Sequence, residues 1–182
     1  MITKITPFTK PNNIESRIKK LESFLKLPLP YEYKHYLLEN EVGILNENLN
    51  FTSQDTLQSP DNLVYQVESL FGFIDNPSDQ ENDLLFINKK YRNQIPSDMM
   101  LIGKVKNCNS YIAVTLSLPA DRIYLWDHDR LDHIDTLVKL NEEYNHITNS
   151  SDLKTDGVVY NSFKYLADNL SQFLNSCTNS QV

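Results

Sequence analysis

The sequence predicts an α+β fold in a single domain: a mostly antiparallel, curved sheet with a central meander, flanked by N-terminal and C-terminal helices. Three observations carry this expectation. Residues 95–129 read as three consecutive strands, and within the second of them Ile112, Val114, Leu116 and Leu118 fall on one face while Tyr111, Ala113, Thr115 and Ser117 fall on the other. That period of two is expected of a strand with one buried face. The connections at 106–110 and 119–122 are short and polar, as hairpin loops are. Amphipathic stretches near both ends of the chain then supply helices to cover the apolar face.

In chain order, Asn12 or Asn13 can cap a first helix that carries Ile14, Ile18, Leu21 and Leu25 on one stripe. Asn12 with Glu15 resembles a capping box, and Glu15–Lys19 and Glu22–Lys26 are i,i+4 pairs on the outer face. Pro28 stops this helix, and Pro30 suits the first turn of a second one bearing Tyr33, Tyr36 and Leu37, with Gly43 near its end. Residues 49–52 and 63–73 read as strands around a polar loop, and 75–83 as a loop rich in acids and turn residues. A short helix over 83–93 carries Leu84, Leu85, Ile87 and Tyr91, and Ile95-Pro96 leads into the meander. Beyond it, 131–144 has helical composition, 145–157 reads as a polar loop, and 162–175 as a last helix with Phe163, Leu166, Leu170, Phe173 and Leu174 on one face.

A chain of 182 residues can bury a core without disulfide or metal staples, and one domain accounts for it, with its core over about 14–174 and a frayed tail at 176–182. The net charge of −7 argues against direct nucleic-acid binding, which needs Lys and Arg to neutralise phosphates, and suits a basic protein partner. Cys108 and Cys177 form no disulfide framework and no metal knuckle. The first residues lack the apolar core of a signal peptide and no run is long enough to span a membrane, so a cytoplasmic location is expected. Neither GxGxxG nor GxxxxGK[ST] occurs among the four glycines.

The densest polar cluster is Asp127, His128, Asp129, Asp132, His133 and Asp135. These are the parts of a metal site or a general acid–base pair, and a metal-dependent hydrolase is the remote reading. Strand alternation disperses them, however, sending Asp127 and Asp129 to one side and His128 to the other, so an acidic strand end is the expectation and no metal or cofactor is assigned. No GxSxG elbow is present, and His35 lies on an amphipathic helix. Tyr31, Tyr33, Tyr36, Tyr111, Tyr124 and Trp126 are available either to the core or to a partner surface.

Four motifs in order resemble the SUKH superfamily, which includes bacterial toxin-immunity proteins and the Smi/Knr-type yeast cell-wall regulators. They are the leading helix running into Leu29-Pro30-x-x-Tyr33-Lys34-x-Tyr36-Leu37-Leu38; then Ile95-Pro96-x-x-Met99-x-x-Ile102-Gly103; then Ile123-Tyr124-Leu125-Trp126-Asp127-His128-Asp129; and last Asn161-Ser162-Phe163, which in the family opens the terminal helix. Tyr36 and Leu125 stand where Phe is common, Gly43 is a lone glycine where the family often has two, and 131–156 is longer than usual. The resemblance implies a non-enzymatic immunity protein that occludes a cognate toxin, a basic nuclease or nucleic-acid deaminase domain. A regulatory interaction scaffold is the alternative. It also implies a partner surface built from Asp75, Asp79, Glu81 and Asp83 with Asp127, Asp129 and Asp132, and with Tyr124 and Trp126 as anchors.

Overall fold

The computed structural model describes residues 5–7, 11–39, 43–45, 49–53, 63–75, 77–117, 120–129, 152–155 and 158–179. Ten strands are present among them: β1 (Ile5–Pro7), β2 (Gly43–Leu45), β3 (Leu49–Ser53), β4 (Leu63–Leu70), β5 (Met99–Val105), β6 (Ser110–Thr115), β7 (Ile123–Asp127), β8 (Asp152–Thr155), β9 (Val158–Ala167) and β10 (Thr178–Asn179). They form one antiparallel sheet in the order β1-β2-β4-β5-β6-β7-β9-β8, with β3 on the first half of β4 and β10 on β3. The helices are α1 (Ile14–Leu25), α2 (Tyr31–Glu39), α3 (Leu84–Lys90) and α4 (Leu170–Ser176), with a 3₁₀ segment at Pro77–Asn82. Register shifts interrupt the β4–β5, β5–β6, β7–β9 and β8–β9 pairings. Each bulge bends its strand and raises the local twist, which curves the sheet around the core.

The meander stands as expected, but β6 is buried on both faces rather than one. Ile112 and Val114, on the strand paired between β5 and β7, are buried, and Tyr111 and Ala113 on the other face are also enclosed. The alternating pattern had reported side-chain chemistry, Tyr and Thr against Ile and Val; coverage of the second face comes from residues distant in sequence, such as Tyr91.

Several local expectations are corrected. Residues 162–167 are not helix; Asn161-Ser162-Phe163 lies inside β9, which β7 and β8 pair on either side. The cause is register: opposite Trp126, Phe163 stacks on the indole at 5.9 Å and is fully buried, a stabilisation of roughly 2–3 kcal/mol for the ring. The terminal helix starts only at α4, where Asn169 Oδ1 accepts the Gln172 N–H (2.7 Å) and Gln172 Oε1 accepts the Asp168 N–H (2.8 Å). This is a reciprocal cap of the capping-box kind. Residues 152–155, expected in a loop, form β8, and 178–179, expected to fray, pair with β3. The expected elements at 131–144 and the rest of the 145–157 loop lie outside the described residues.

Asn13, not Asn12, holds the N-cap position of α1, and its side chain makes no capping bond; Asn13 Oδ1 instead accepts from Arg17 Nε at 3.3 Å. Glu22, expected to pair with Lys26, accepts the Leu29 N–H (3.1 Å) and Lys34 Nζ (3.1 Å), so it ties the α1–α2 connection rather than its own helix. Pro30 sits just ahead of α2, its carbonyl accepting the Lys34 N–H at 2.9 Å. Gly43 opens β2 rather than closing α2.

Helix α3 is tied to the sheet by a buried side-chain amide. Asn88, buried, donates through Nδ2 to the carbonyls of Leu84 and Leu101 (2.9 Å each), and its Oδ1 accepts the Leu101 N–H at 2.8 Å. Leu101 adjoins the β5–β6 bulge, so the amide takes up both polar groups of a peptide at an irregular point of the ladder. On the other side of that bulge Gly103 admits no side chain: a Cβ there would lie 2.9 Å from the Ser69 carbonyl oxygen.

Two outcomes follow for stability. Asn88→Ala strands the Leu101 N–H and C=O in the interior and is expected to cost about 2–4 kcal/mol, lowering the thermal midpoint by roughly 5–15 °C in a melt followed by circular dichroism. Gly103→Ala is expected to cost about 1–3 kcal/mol by forcing β4 and β5 apart, read as a lower urea midpoint with the slope retained.

Candidate partner-binding surface

The first acidic segment is pinned at both ends. Asp83 caps α3, its Oδ1 accepting the Phe86 N–H (2.8 Å), while its Oδ2 accepts the Ile74 N–H (3.0 Å). The chain between these two points is therefore closed into a staple, and within the stretch expected to be loop Pro77–Asn82 forms two short 3₁₀ turns separated by a kink at Asp79. Asn82 adds a bond from Ser69 Oγ (3.0 Å), and the Leu84 N–H reaches the Gly72 carbonyl at 2.7 Å. Asp75 is exposed and pairs with Arg17 on α1. Glu81 is exposed and Asp79 half-buried. Of the four acids expected here, Asp83 is committed to holding the segment, and Asp75, Asp79 and Glu81 form its outer side.

The second segment is the end of β7. Asp127 Oδ1 accepts the Asp129 N–H at 3.2 Å, a local turn of the Asx kind, and Asp129 Oδ1 accepts from Asn109 Nδ2 at 3.0 Å. His128 points the other way, as alternation requires. Its ring lies edge-on to Trp126 and Tyr91, both at 5.2 Å, and its Nε2 is 3.0 Å from Gln94 Oε1. The histidine is thus part of an aromatic layer and stands apart from the carboxylates beside it in sequence. Asp132, His133 and Asp135 lie outside the described residues, and among the described ones no group of three or more His, Cys, Asp and Glu side chains is placed to hold a metal ion.

Trp126 and Tyr124 are enclosed. Trp126 is 1% exposed and touches Tyr91, Tyr111 and Phe163; Tyr124 is 5% exposed and packs edge-on to Tyr165 at 5.8 Å. In this structure Trp126 supports the surface from beneath, whereas Tyr124 packs toward the other end of β7. The Tyr91 and Tyr111 hydroxyls meet at 2.9 Å. Burial, the Tyr91 bond and then the nearby Glu81 and Glu68 charges push the Tyr111 hydroxyl well above its usual range. Glu81 from the first segment and His128 from the second therefore border one aromatic layer, which joins two stretches nearly fifty residues apart.

Sequence reasoning missed Glu68 on β4, which pairs with Lys104 at 3.4 Å, because its place beside Tyr111 is set by strand pairing. It also missed a second polar cluster at the opposite end of β7. There Arg122 approaches Asp168 at 3.8 Å, and Asp98 accepts from Ser117 Oγ at 2.7 Å. Burial, then a bond and charge from Asp168, hold the Tyr165 hydroxyl up at about 12. Burial likewise pushes the Cys177 thiol up to about 12, away from the thiolate a nucleophile needs.

Among the described residues, Tyr33, Tyr36, Tyr111, Tyr124 and Tyr165 have hydroxyls raised above the ordinary value of 10.0, chiefly by burial. A group raised in the folded state favours folding while it stays protonated. That contribution is complete below the unfolded value and is lost as pH rises above it. An alkaline spectrophotometric titration is expected to leave the Tyr36 and Tyr165 hydroxyls protonated at about pH 11 and to release them as the chain unfolds. Early, independent ionisation of nine or ten hydroxyls would contradict the packing described.

No helix among the described residues is long and apolar enough to cross a membrane. A family model described as the SMI1 / KNR4 family (SUKH-1) matches residues 15–176. No curated protein and no solved structure matches the chain.

Proposed function

Because the chain belongs to the SMI1 / KNR4 family (SUKH-1), we propose that it is a non-enzymatic binding module whose role is immunity: it covers and blocks a cognate toxin domain. The family supports an immunity or protein-interaction role, and the match over residues 15–176 is the observation that carries the reading. The toxin is a basic domain, a nuclease or nucleic-acid deaminase, whose substrate cleft an acidic surface can occupy. With a net charge of −7, the chain attracts such a partner over distances beyond contact, which raises the encounter rate.

The surface comprises Asp75, Asp79 and Glu81 on the stapled segment with Asp127 and Asp129 at the end of β7; Asp132, which the sequence adds to this set, lies outside the described residues. Asp83 and Trp126 act indirectly, by keeping that surface in shape, while Tyr124 is taken up against Tyr165 toward the other end of β7. Preorganisation of this kind reduces the ordering cost of association and favours tight binding. No catalysis is required of the chain, and no cofactor.

Co-expression with the product of the neighbouring reading frame, followed by capture of the tagged chain, tests the reading. Recovery of a basic nuclease- or deaminase-like protein, with its toxicity suppressed, is the expected result; a set of clean negatives would favour a regulatory scaffold instead. With the partner in hand, Glu81→Lys and Asp129→Lys are expected to slow association about tenfold at low salt and to weaken its salt dependence, with the thermal midpoint little changed. Association rates unchanged in both variants would move the interface elsewhere on the molecule.

A further inference from the structure

A second face of the molecule carries charge of the opposite sign. Along α1, Asn13 at the cap and Ser16, Arg17 and Lys20 in the helix recur at spacings of three and four, so they share one side. The core uses another side, through Ile18, Leu21 and Leu25. Both glutamates of the helix point away from the stripe: at about 3.6 residues per turn, Glu15 and Glu22 fall on the opposite side. Glu22 is also engaged there by Lys34 and the Leu29 N–H. In a chain of net charge −7, this stripe is therefore locally basic.

Between the stripe and the start of α3 lies a cavity of about 320 Å³, lined on its far side by Phe73, Asp83 and Leu85. Phe73 is buried and Leu85 half-buried, which gives the cavity an apolar wall, whereas Asn13, Ser16 and Lys20 are exposed and form its mouth. One turn beyond Lys20, α1 and α3 come together, with Lys89 over the Phe24 ring at 5.8 Å. The polar groups around the cavity are unequally committed. Asp83 accepts the Phe86 and Ile74 N–H groups on its two oxygens. Arg17 donates to Asn13 Oδ1, to the Ile74 carbonyl and to Asp75. Neither can answer a ligand without giving up these bonds. Lys20 and the Ser16 hydroxyl, by contrast, have no ion-pair or side-chain hydrogen-bond partner among the described residues. One wall thus offers a point positive charge and a hydroxyl, and the other offers carbon.

We propose that this cavity is a docking site for a short acidic segment of a protein partner, with one carboxylate on Lys20 and Ser16 and an adjoining aliphatic side chain against Phe73 and Leu85. A single ammonium beside a hydroxyl suits a carboxylate. A phosphate is better served by the planar fork of an arginine, and Arg17 is already engaged. The size points to the side chains of a peptide rather than to a separate small molecule. Sites for small molecules span about 300–1,000 Å³ and enclose most of their ligand, whereas this cavity is at the lower limit and open. The inference rests on reading the chain as a binding module. It adds a contact of reversed sign next to the acidic segment, since Asp83 borders both, and such a contact fixes the register in which a partner lands.

The test is selection of random dodecapeptides displayed on phage against the full chain, followed by titration of the acidic sequences recovered, read by fluorescence anisotropy. Sequences that set Asp or Glu beside an aliphatic residue are expected to be enriched, and Lys20→Glu is expected to weaken their binding about tenfold or more. Lys19→Glu changes the net charge equally from outside the stripe and should weaken binding no more than about threefold at moderate salt. Ser16→Trp, at an exposed helix position, should fill the mouth and abolish binding, with the thermal midpoint within about 2 °C of the parent. Failure to recover acidic–aliphatic sequences would overturn the docking site. So would binding retained in Lys20→Glu or in Ser16→Trp, or an equal loss in Lys19→Glu. No toxin enters this measurement, so a failed toxin capture and a failed selection are separate results.

Discussion

The side-chain amide of Asn88 is the contact on which the rest of this molecule depends. Helix α3 is short, and two turns of helix contribute little stability alone. What seats it is one buried amide that takes both peptide groups of Leu101 beside a bulge in the central sheet. From that anchor the structure extends both ways. Toward the N-terminus, Asp83 caps the same helix and returns to Ile74, closing the acidic segment. Toward the C-terminus, Tyr91 ends the helix over Tyr111 and Trp126 and brings β6, β7 and the following His128 into one aromatic layer.

The proposed surface is therefore acidic at its rim and aromatic beneath. Exposed carboxylates at Asp75, Glu81 and Asp129 keep their hydration and act at long range, whereas Trp126, Tyr111 and Phe163 supply rigidity. The division follows from what each chemistry costs to bury. A ring gains by leaving water, and a carboxylate taken from water without a partner is penalised by several kcal/mol.

Much of the site was legible in part. The acidic composition of 75–83 and 127–129 could be read from the chain, and so could the opposite directions of Asp127 and His128, because alternation along a strand is a local property. The division of labour among those acids could not. Asp83 is a cap and Asp75 an ion-pair partner because Phe86, Ile74 and Arg17 happen to lie beside them in space. Glu68 was invisible as a neighbour of Tyr111, since only the pairing of β4 with β5, whose Lys104 lies opposite Tyr111, brings it there.

The same distinction runs through the fold. Helix α1, the three meander strands and the turn between β5 and β6 are settled by local periodicity and turn chemistry, and these were determined by the sequence alone. Residues 162–167 were decided only by the tertiary structure. Their apolar positions fit a helix stripe and a strand equally well, and the choice fell to the groove beside β7, where extended geometry sets Phe163 against Trp126 and Tyr165 against Tyr124. Intrinsic preferences differ by tenths of a kcal/mol per residue, whereas a completed ladder with buried aromatic pairs is worth several kcal/mol, so the longer-range term prevails.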